Sequence, residues 1–493
     1  MKKRYEINMT KGPLLPELLQ FILPLMLSSM LQIAFNAADL IVVGRFGRPH
    51  SMAAVGATGA LTFLVFGFFF GLTNGFAVIT AQRFGAKDYD GVRRSVAVST
   101  LLGTAATGLG MLVSLPFIEQ LLRLMNTPDD ILANSVVYVA ALCWGTAATV
   151  FYNLLSCFIR ALGDSWTPLL FLVIATFLNI GLDLLFIITF GMGIAGAAWA
   201  TVLAQALSAL FCLLYIRRRF PLLCPRREDW RFDAGFAWEH LRVALPMAFQ
   251  FSITAIGVLV MQEEINRFGT VTIAAFTAGA RIEQLAVQPM FTLGIAIATF
   301  AAQNYGARRL DRVRTGVTQC TLISVAWCIV SGIALALFSR PLVGIFIPVD
   351  SEPVATAQAQ NYIYMTAALF IILGQLFIYR NVLQGIGRSF MPMMAGGAEL
   401  VVRIAASILL APVFGYLGVF WATPLAWVGA TALLAAAYFT VSRRFDSGTE
   451  AGEAERPRSR LRGFRRDRLR LYLLRLRYRL GLLPTRALKQ PEK

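Results

Sequence analysis

Residues 18–44 read LLQFILPLMLSSMLQIAFNAADLIVVG, an apolar stretch long enough to cross a lipid bilayer as a helix. One carboxylate, Asp39, interrupts this stretch. An acidic residue at the centre of a spanning helix costs roughly 2.5–3.5 kcal/mol on insertion, and such residues usually face a cavity or a partner on an ion or proton path. The stretch therefore predicts a membrane helix and marks Asp39 as a candidate functional residue.

The composition of the whole chain is that of a polytopic membrane protein. Of its 493 residues 57% are hydrophobic and 15% are charged, and the mean hydropathy is +0.64. Windows of about 20 residues predict an all-α membrane protein with twelve spans. The spans are predicted at 15–43, 52–79, 95–117, 132–159, 167–190, 193–216, 241–266, 271–300, 316–338, 357–383, 391–413 and 418–441.

The basic residues predict the orientation of these spans. Twelve spans put both termini on one side, and that side holds about 22 lysines and arginines, with Arg160 and Arg380 counted among them, against about five on the other. The positive-inside rule then makes both termini and the polar linker 217–240 cytoplasmic. The tail 446–493 contains RRDRLRLYLLRLRYRLGLL, which predicts a basic amphipathic helix on the anionic inner leaflet. The net charge of +18 is thus explained without a nucleic-acid partner.

The two halves of the chain resemble each other. AQRFGAKDYDGVR at 81–93 aligns with AQNYGARRLDRVR at 302–314 at an offset of 221, with seven of thirteen residues identical, and WAT recurs at 199–201 and 421–423. The repeat unit is six helices, which gives an N-lobe at 1–216 and a C-lobe at 241–445. An even number of spans keeps both copies in one orientation. The lobes are therefore expected to face each other about a pseudo-two-fold axis along the membrane normal, as in transporters that rock between two open states.

Polar side chains within the first six spans suggest a site for a coupling ion. Asn36 and Asp39 share a helix face, as do Asn179 and Asp183, and Asn153 and Thr201 lie on neighbouring spans. Two close carboxylates repel each other as anions, which favours retention of a proton by one of them or a cation held between them. Oxygen ligands suit a hard cation such as sodium. The alternative is that Asp183 only makes hydrogen bonds within the bundle.

The second half does not keep this acidic pair. Met261 and Ser407 stand where the repeat would place the equivalents of Asp39 and Asp183. Its intramembrane charges form a candidate C-lobe cleft instead, made of Glu263, Glu264, Arg281 and Glu283. Glu399 and Arg403, spaced i, i+4, are expected to form a structural ion pair.

Several segments carry a resemblance to a known family. GLTNGFAVITAQRFGAKD at 71–88, PMFTLGIAIATFAAQNYGARR at 289–309, GARIEQLA at 279–286 and RALGDSWTP at 160–168 are similar to segments of the multidrug and toxic compound extrusion (MATE) transporters. The chain resembles most the bacterial branch of DNA-damage-inducible and YoeA-like members. The resemblance covers residues 10–445 and implies secondary active export of organic, often cationic compounds, coupled to inward proton or sodium movement.

The resemblance also implies roles for particular residues. Asp39, Asn179, Asp183 and Thr201 match the N-lobe cation site of these transporters and form the candidate sodium site. Some members place an acid on the seventh helix, which Glu263 or Glu264 could match. The expected protein is thus not an enzyme and has no cofactor beyond H+ or Na+. It is expected to be a monomer in the bacterial cytoplasmic membrane. A lipid-linked oligosaccharide flippase of the same superfamily is the alternative; fourteen spans or a cationic cleft would favour it.

Overall fold

The computed structural model describes residues 9–46, 51–125 and 127–446. The predicted amphipathic helix of the basic tail lies outside these residues. The α-helices of the described part are α1 (Leu14–Phe46), α2 (Ser51–Gly85), α3 (Tyr89–Leu124), α4 (Asp129–Trp144), α5 (Thr146–Ala161), α6 (Trp166–Leu184), α7 (Ile194–Arg219), α8 (Ala234–Asn266), α9 (Thr270–Gly306), α10 (Leu310–Val343), α11 (Pro353–Ala368), α12 (Phe370–Gly385), α13 (Phe390–Phe414) and α14 (Tyr416–Asp446).

These helices make twelve membrane spans. Ten helices of the described residues are long and apolar enough to cross a bilayer. The other four form the bent pairs α4–α5 and α11–α12, which turn by 48° and 52° and each make one span. All regular structure in the described residues is helical. The predicted all-α fold with twelve spans is therefore confirmed. The side of the membrane on which α1 begins and α2 ends is named the termini side.

The backbone confirms the internal repeat independently of side-chain identity. Lys87 and Arg308, one repeat apart, have positive φ angles of 59° and 58° at the turns that follow α2 and α9. Gly163 and Gly387 have φ angles of 93° and 81° at the turns after α5 and α12. Non-glycine residues rarely adopt positive φ, so this coincidence shows that both lobes are built on one six-helix plan.

The two lobes meet along α2 and α8. The helices approach so closely at Gly75 that a Cβ there would lie 2.3 Å from the Cα of Ala244. The rings of Phe70 and Phe251 contact edge to face, with centroids 5.3 Å apart. The contact at Gly75 lies in the halves of α2 and α8 nearest the termini side, and the contact of Phe70 with Phe251 lies near the middle of both helices.

The remaining halves of α2 and α8 pack within their own lobes. Ala54 and Leu61 of α2 belong to a buried N-lobe cluster that includes Val139 of α4. Met261 and Ile265 of α8 instead pack against α14 in the C-lobe. The lobes are therefore held together mainly toward the termini side.

The connection between the lobes is shorter than predicted. α7 continues to Arg219 and α8 begins at Ala234, so residues 220–233, rather than 217–240, form the linker. Two short 3-10 turns, Pro221–Leu223 and Arg227–Trp230, occupy much of it. The linker contacts the N-lobe, because Arg94 of α3 forms an ion pair of 2.9 Å with Asp233.

Asp233 also starts α8. Its carboxylate accepts hydrogen bonds from the backbone N–H groups of Gly235 and Phe236, which caps the helix. These bonds stabilise the ionised form and, together with Arg94, hold the pKa of the Asp233 carboxyl below its usual range. One charged residue thus fixes both the start of the second lobe and the attachment of the linker to the first.

Candidate functional site

Two buried carboxyl groups meet inside the N-lobe. Asp39 on α1 is 7% exposed and Asp183 near the end of α6 is fully buried. Their carboxyl groups lie against each other, and the hydroxyl of Tyr138 on α4 lies beside Asp39. Three helices that are distant in sequence therefore bring two acids and one phenol to a single point in the membrane.

The oxygen atoms at this point lack hydrogen-bond donors. Both carboxylate oxygens of Asp183, Oδ1 of Asp39 and Oδ1 of Asn179 are buried and accept no hydrogen bond from the described residues. Asn179 lies one turn before Asp183, and its Nδ2 donates to Thr201 Oγ1 at 3.3 Å. Buried polar groups nearly always have partners, and two adjacent carboxylates repel as anions. The donor set therefore fits a shared proton or a hard cation bound by oxygen ligands.

Local structure at Asp183 is consistent with a specialised position. A π-helical turn, Leu185–Thr189, follows α6 directly after this residue. π-turns inside helices are rare and occur frequently at functional sites. In the second lobe the corresponding helix α13 runs as a continuous α-helix to Phe414 and carries Ser407 in place of the acid. The two lobes thus differ in backbone as well as in side chain at this point.

Two other predicted N-lobe residues lie elsewhere. Asn36 is exposed, so it does not join the buried carboxyl groups although it precedes Asp39 by three residues. Asn153 is partly buried and donates to the Thr149 carbonyl at 3.0 Å. Its side chain lines a small cavity together with Ser29 and Gln32, away from the acidic pair. Of the six predicted N-lobe residues, the structure brings together Asp39, Asn179, Asp183 and Thr201, and it places Asn36 and Asn153 apart from them.

The candidate C-lobe cleft is not assembled by its predicted residues. Glu263 has a side chain that is 73% exposed, and it pairs with Arg267 at 3.6 Å, as does Glu264 at 3.4 Å. Arg281 is exposed. Glu283 is partly buried and accepts a hydrogen bond from the Tyr362 hydroxyl. Glu263, Glu264, Arg281 and Glu283 are all absent from the lining of the small cavity beside Asn153 and of the larger cavity between the lobes.

The predicted pair of Glu399 and Arg403 is present and belongs to a larger cluster. Arg403 Nη2 lies 2.7 Å from Glu399 Oε1, and Arg380 Nη2 of α12 lies 2.9 Å from Glu399 Oε2. The three side chains are between 8% and 11% exposed. The carboxylate of Glu399 therefore forms ion pairs with two buried guanidinium groups.

A central cavity of about 340 Å3 lies between the lobes. It is lined by residues of α2, α5, α8, α9 and α12. Its aromatic residues are Phe63, Phe70, Phe251, Phe291 and Phe377, and its amides are Asn74, Gln250, Gln284, Gln288, Asn381 and Gln384. Its charged residues are Arg160 and Arg380. A smaller cavity of about 210 Å3 adjoins it between α9 of the C-lobe and helices of the N-lobe. The two cavities share Phe70, Arg160, Gln288, Phe291 and Ile295.

Three residues of these sites are missed by sequence reasoning. Tyr138 carries only the weak signal of a tyrosine inside an apolar span. Arg160 and Arg380 are counted above as loop charges, because hydropathy windows end near them. The structure places Arg160 in the last turn of α5 and Arg380 within α12, so neither is a loop residue. Their position within the last two turns of a helix is the signal that could have separated them from the loops.

Comparison with known proteins identifies the family. A family model described as MatE matches residues 24–185 and 245–409, which takes in most of both lobes. The chain belongs to the MatE family. As in the rest of the family, its fold is that of a membrane transporter, not of an enzyme.

Named relatives of this MatE chain come from two bacteria. The probable multidrug resistance protein YpnP of Bacillus subtilis is 30% identical over 77% of this chain and 84% of its own length. The probable multidrug resistance protein YoeA of the same organism is 26% identical over 76% of this chain and 81% of its own. The multidrug export protein MepA of Staphylococcus aureus is 23% identical over 86% of this chain and 94% of its own.

Solved structures share the fold of this MatE chain. A MATE protein in complex with MaL6 is 22% identical and has a TM-score of 0.81. The match covers 91% of this chain and 100% of the length of that protein. A multidrug resistance MATE transporter of the MOP superfamily, solved in an outward-facing conformation, has a TM-score of 0.83, with 22% identity over 90% of this chain and 99% of its own. A MOP superfamily transporter from Pyrococcus furiosus, described as having a binding pocket of reverse polarity, also has a TM-score of 0.83. It is 23% identical and covers 90% of this chain and 100% of its own length.

Proposed function

We propose that this chain is a secondary active efflux transporter that exports organic compounds in exchange for protons or sodium ions. The observation that carries the proposal is the contact between Asp39 and Asp183, with their donor-free oxygens, inside a lobe of a MatE protein. The names of YpnP, YoeA and MepA, all multidrug resistance or export proteins, support export of organic compounds.

The acidic pair provides the coupling in this proposal. When the pair binds a proton or sodium, its mutual repulsion is removed; when it releases the ion, α1 and α6 carry like charges that face each other. An ion shifts the equilibrium between the inward-open and outward-open states only if it binds one state more tightly than the other. A tenfold ratio of the two affinities shifts the equilibrium by a free energy of roughly 1.4 kcal/mol. Alternating access of the two lobes then moves the organic compound in the direction opposite to the ion.

The proposed orientation has both termini in the cytoplasm of a bacterial cell. Removing Arg160 and Arg380 from the count of loop charges leaves the excess of basic residues on the termini side in place. The lobe contacts near the termini side then close the cytoplasmic face and leave the cavity to open outward. The working unit in this proposal is a monomer that contacts lipid and small organic molecules, without a nucleic-acid partner.

The alternative of a lipid-linked oligosaccharide flippase is less well supported. Twelve spans and the buried acidic pair favour ion-coupled efflux, and the named relatives are multidrug proteins. The arginines of the central cavity are the one feature that such a flippase would share. A charged group on the substrate is a simpler reason for these arginines.

The test is transport by purified protein in proteoliposomes with proton and sodium gradients imposed separately. Ion-coupled efflux predicts that one gradient drives accumulation of an organic compound against its own gradient. If neither gradient does so while facilitated equilibration is measurable, the protein is a uniporter and the proposal is wrong.

A further inference from the structure

The central cavity carries positive charge and no acid on its walls. Of its lining residues, Arg160 and Arg380 are charged, whereas no aspartate, glutamate, lysine or histidine is among them. The smaller cavity repeats this pattern, with Arg160 as its one charged residue. Asp39 and Asp183, the acids of the proposed coupling site, line neither cavity. The electrostatic character of the space between the lobes is therefore set by two guanidinium groups.

Arg160 is available to a ligand. Its Nη2 donates to the Sγ of Cys157 at 2.8 Å, and among the described residues no carboxylate lies within ion-pair distance of it. Asp164, one turn further along, caps α6 through the backbone N–H of Thr167 at 3.0 Å. A guanidinium presents five N–H donors in a planar fork. Most of the donors of Arg160 therefore remain for a group inside the cavity.

Arg380 is only partly neutralised. It shares the single carboxylate of Glu399 with Arg403, and its buried Nε has no hydrogen-bond partner among the described residues. Glu283, the other acid near Arg403, is engaged by the Tyr362 hydroxyl and lies off the cavity wall. The cavity side of this cluster is thus an arginine whose charge is balanced only in part, because it shares one carboxylate with a second arginine.

The rest of the wall suits an amphipathic molecule. Phe70, Phe251 and Phe291 offer aromatic surface to an apolar body, while amides such as Gln288 and Asn381 can accept or donate hydrogen bonds. Guanidinium groups match carboxylate and phosphate oxygens in a bidentate geometry, and they repel an organic cation. A cation in this cavity would meet no compensating carboxylate.

We propose that the central cavity binds organic anions, in which an apolar or aromatic body carries a carboxylate, sulfonate or phosphate that pairs with Arg160 and Arg380. The inference rests on the proposed function and narrows its substrate class. It departs from the often cationic substrates that the family resemblance implies. The guanidinium groups of Arg160 and Arg380 bind the anionic group. The aromatic residues of the wall contact the apolar part of the ligand and do not select strongly for its shape.

Binding of matched probes to the purified protein in nanodiscs tests this proposal, with empty nanodiscs as the reference for lipid partitioning. The probes are pyrenebutyrate, a pyrenyl trimethylammonium of the same chain length, and the uncharged pyrenebutanol. The expected affinity for pyrenebutyrate is at least about tenfold higher than for the other two, since a hydrogen bond to a charged group is worth that much. Equal affinity for all three, or tighter binding of the ammonium, overturns the proposal.

Variants locate the anion. Arg160→Gln and Arg380→Gln are each expected to weaken pyrenebutyrate binding about tenfold. The matched control is Arg340→Gln, which removes the same charge from an exposed position outside both cavities and is expected to leave binding unchanged. Should Arg380→Gln fail to fold, Arg380→Lys keeps the charge but loses the bidentate fork and is expected to weaken binding several-fold. Loss of binding that is equal in Arg160→Gln and Arg340→Gln contradicts the assignment.

Competition distinguishes the sources of such an anion. A soluble aromatic acid, naphthoate, and a short-chain lipid phosphate, dihexanoyl phosphatidate, are each titrated against bound pyrenebutyrate. Displacement by either supports an oxoanion site, and the tighter competitor names the source; displacement by neither contradicts it. Because binding needs no ion gradient, failure of this test leaves ion-coupled export standing, and failure of gradient-driven transport leaves this test unaffected.

Discussion

Gln82 and Gln303 form the same hydrogen bond from opposite lobes. Gln82 Nε2 of α2 donates to the Gly385 carbonyl at the end of α12, and Gln303 Nε2 of α9 donates to the Ala161 carbonyl at the end of α5, both at 2.8 Å. Each bond joins one lobe to the other, so the pair acts as a two-fold latch on the termini side. Met9 adds to it, because its backbone N–H donates to Gln303 Oε1 at 3.3 Å.

The latch depends on two glycines next to it. A Cβ at Gly85 would lie 1.9 Å from the Gln303 carbonyl oxygen, and one at Gly306 would lie 1.9 Å from that of Gln82. We expect Gly85→Ala to force the lobes apart on the termini side. In a background that keeps Cys157 as the one cysteine, a membrane-impermeant maleimide applied from that side should then label this cavity-lining residue faster.

A glycine on the same helix provides the control. A Cβ at Gly59 meets nothing within 4 Å, so Gly59→Ala should leave the labelling rate at the wild-type value. A Gly85→Ala protein that is labelled no faster than Gly59→Ala would show that the latch does not close the cavity.

Glu399→Gln should destabilise the C-lobe strongly. The substitution leaves Arg380 and Arg403 buried with no carboxylate of the described residues within ion-pair distance, and breaking a buried ion pair in this way typically costs about 3–5 kcal/mol. Glu263→Gln removes an acid whose side chain is 73% exposed, and should change stability by less than about 0.5 kcal/mol. Reversible unfolding of both variants in mixed micelles compares the two costs. Equal midpoints would mean that the cluster contributes nothing to stability.

The contrast between Glu399 and its partners shows what the sequence could predict. Its bond to Arg403 follows from i, i+4 spacing on one helix, and the spans and the repeat follow from periodicity over long segments. The bond to Arg380 depends on how α12 packs against α13, which spacing along the chain does not encode. The same limit applies to Tyr138, which lies beside Asp39 in the folded chain although α1 and α4 are far apart in sequence.

The sequence indicates the fold more directly than it indicates the positions of the intramembrane charges. Arg160 and Arg380 stand close to helix ends, so their sequence positions suit either a loop or a cavity wall. Asn36 shows the opposite error, since its spacing from Asp39 suggested a shared face although its side chain is exposed. The spacing of two residues fixes the angle between their side chains around the helix axis. Whether each side chain is buried depends on which part of the helix surface the neighbouring helices contact.

The orientation of the chain can be measured with introduced cysteines. Tyr89→Cys and Asp311→Cys lie at the turns after α2 and α9, at exposed positions on the termini side. We expect both to react with an impermeant thiol reagent only when it reaches the cytoplasmic face. Asp129 lies on the opposite side of the membrane, and its side chain is 90% exposed. A cysteine introduced by Asp129→Cys should therefore react only with reagent applied from outside. The reverse pattern would invert the topology.

The sign of the substrate charge predicts how the membrane potential affects transport. Exchange of one inward proton for one outward monovalent anion moves two positive charges inward per cycle. Each charge gains about 2.3 kcal/mol per 100 mV, so an inside-negative potential should accelerate export of pyrenebutyrate strongly. Exchange of a proton for a monovalent cation moves no net charge. Export of the anion at a rate that is independent of an imposed potassium diffusion potential would contradict the one-for-one exchange.

The central claim is that Asp39 and Asp183 couple an ion gradient to export. The direct measurement is gradient-driven accumulation in proteoliposomes of whichever pyrene probe the wild type transports, made with Asp39→Asn and Asp183→Asn. Glu119→Gln serves as the control, because it removes a half-exposed acid that pairs with Arg123 on the surface of α3. We expect both asparagine variants to bind the probe, since neither residue lines the cavity, but no longer to accumulate it. The control variant should accumulate it as the wild type does. Accumulation at the wild-type rate by both asparagine variants would show that the acidic pair does not couple the ion to export.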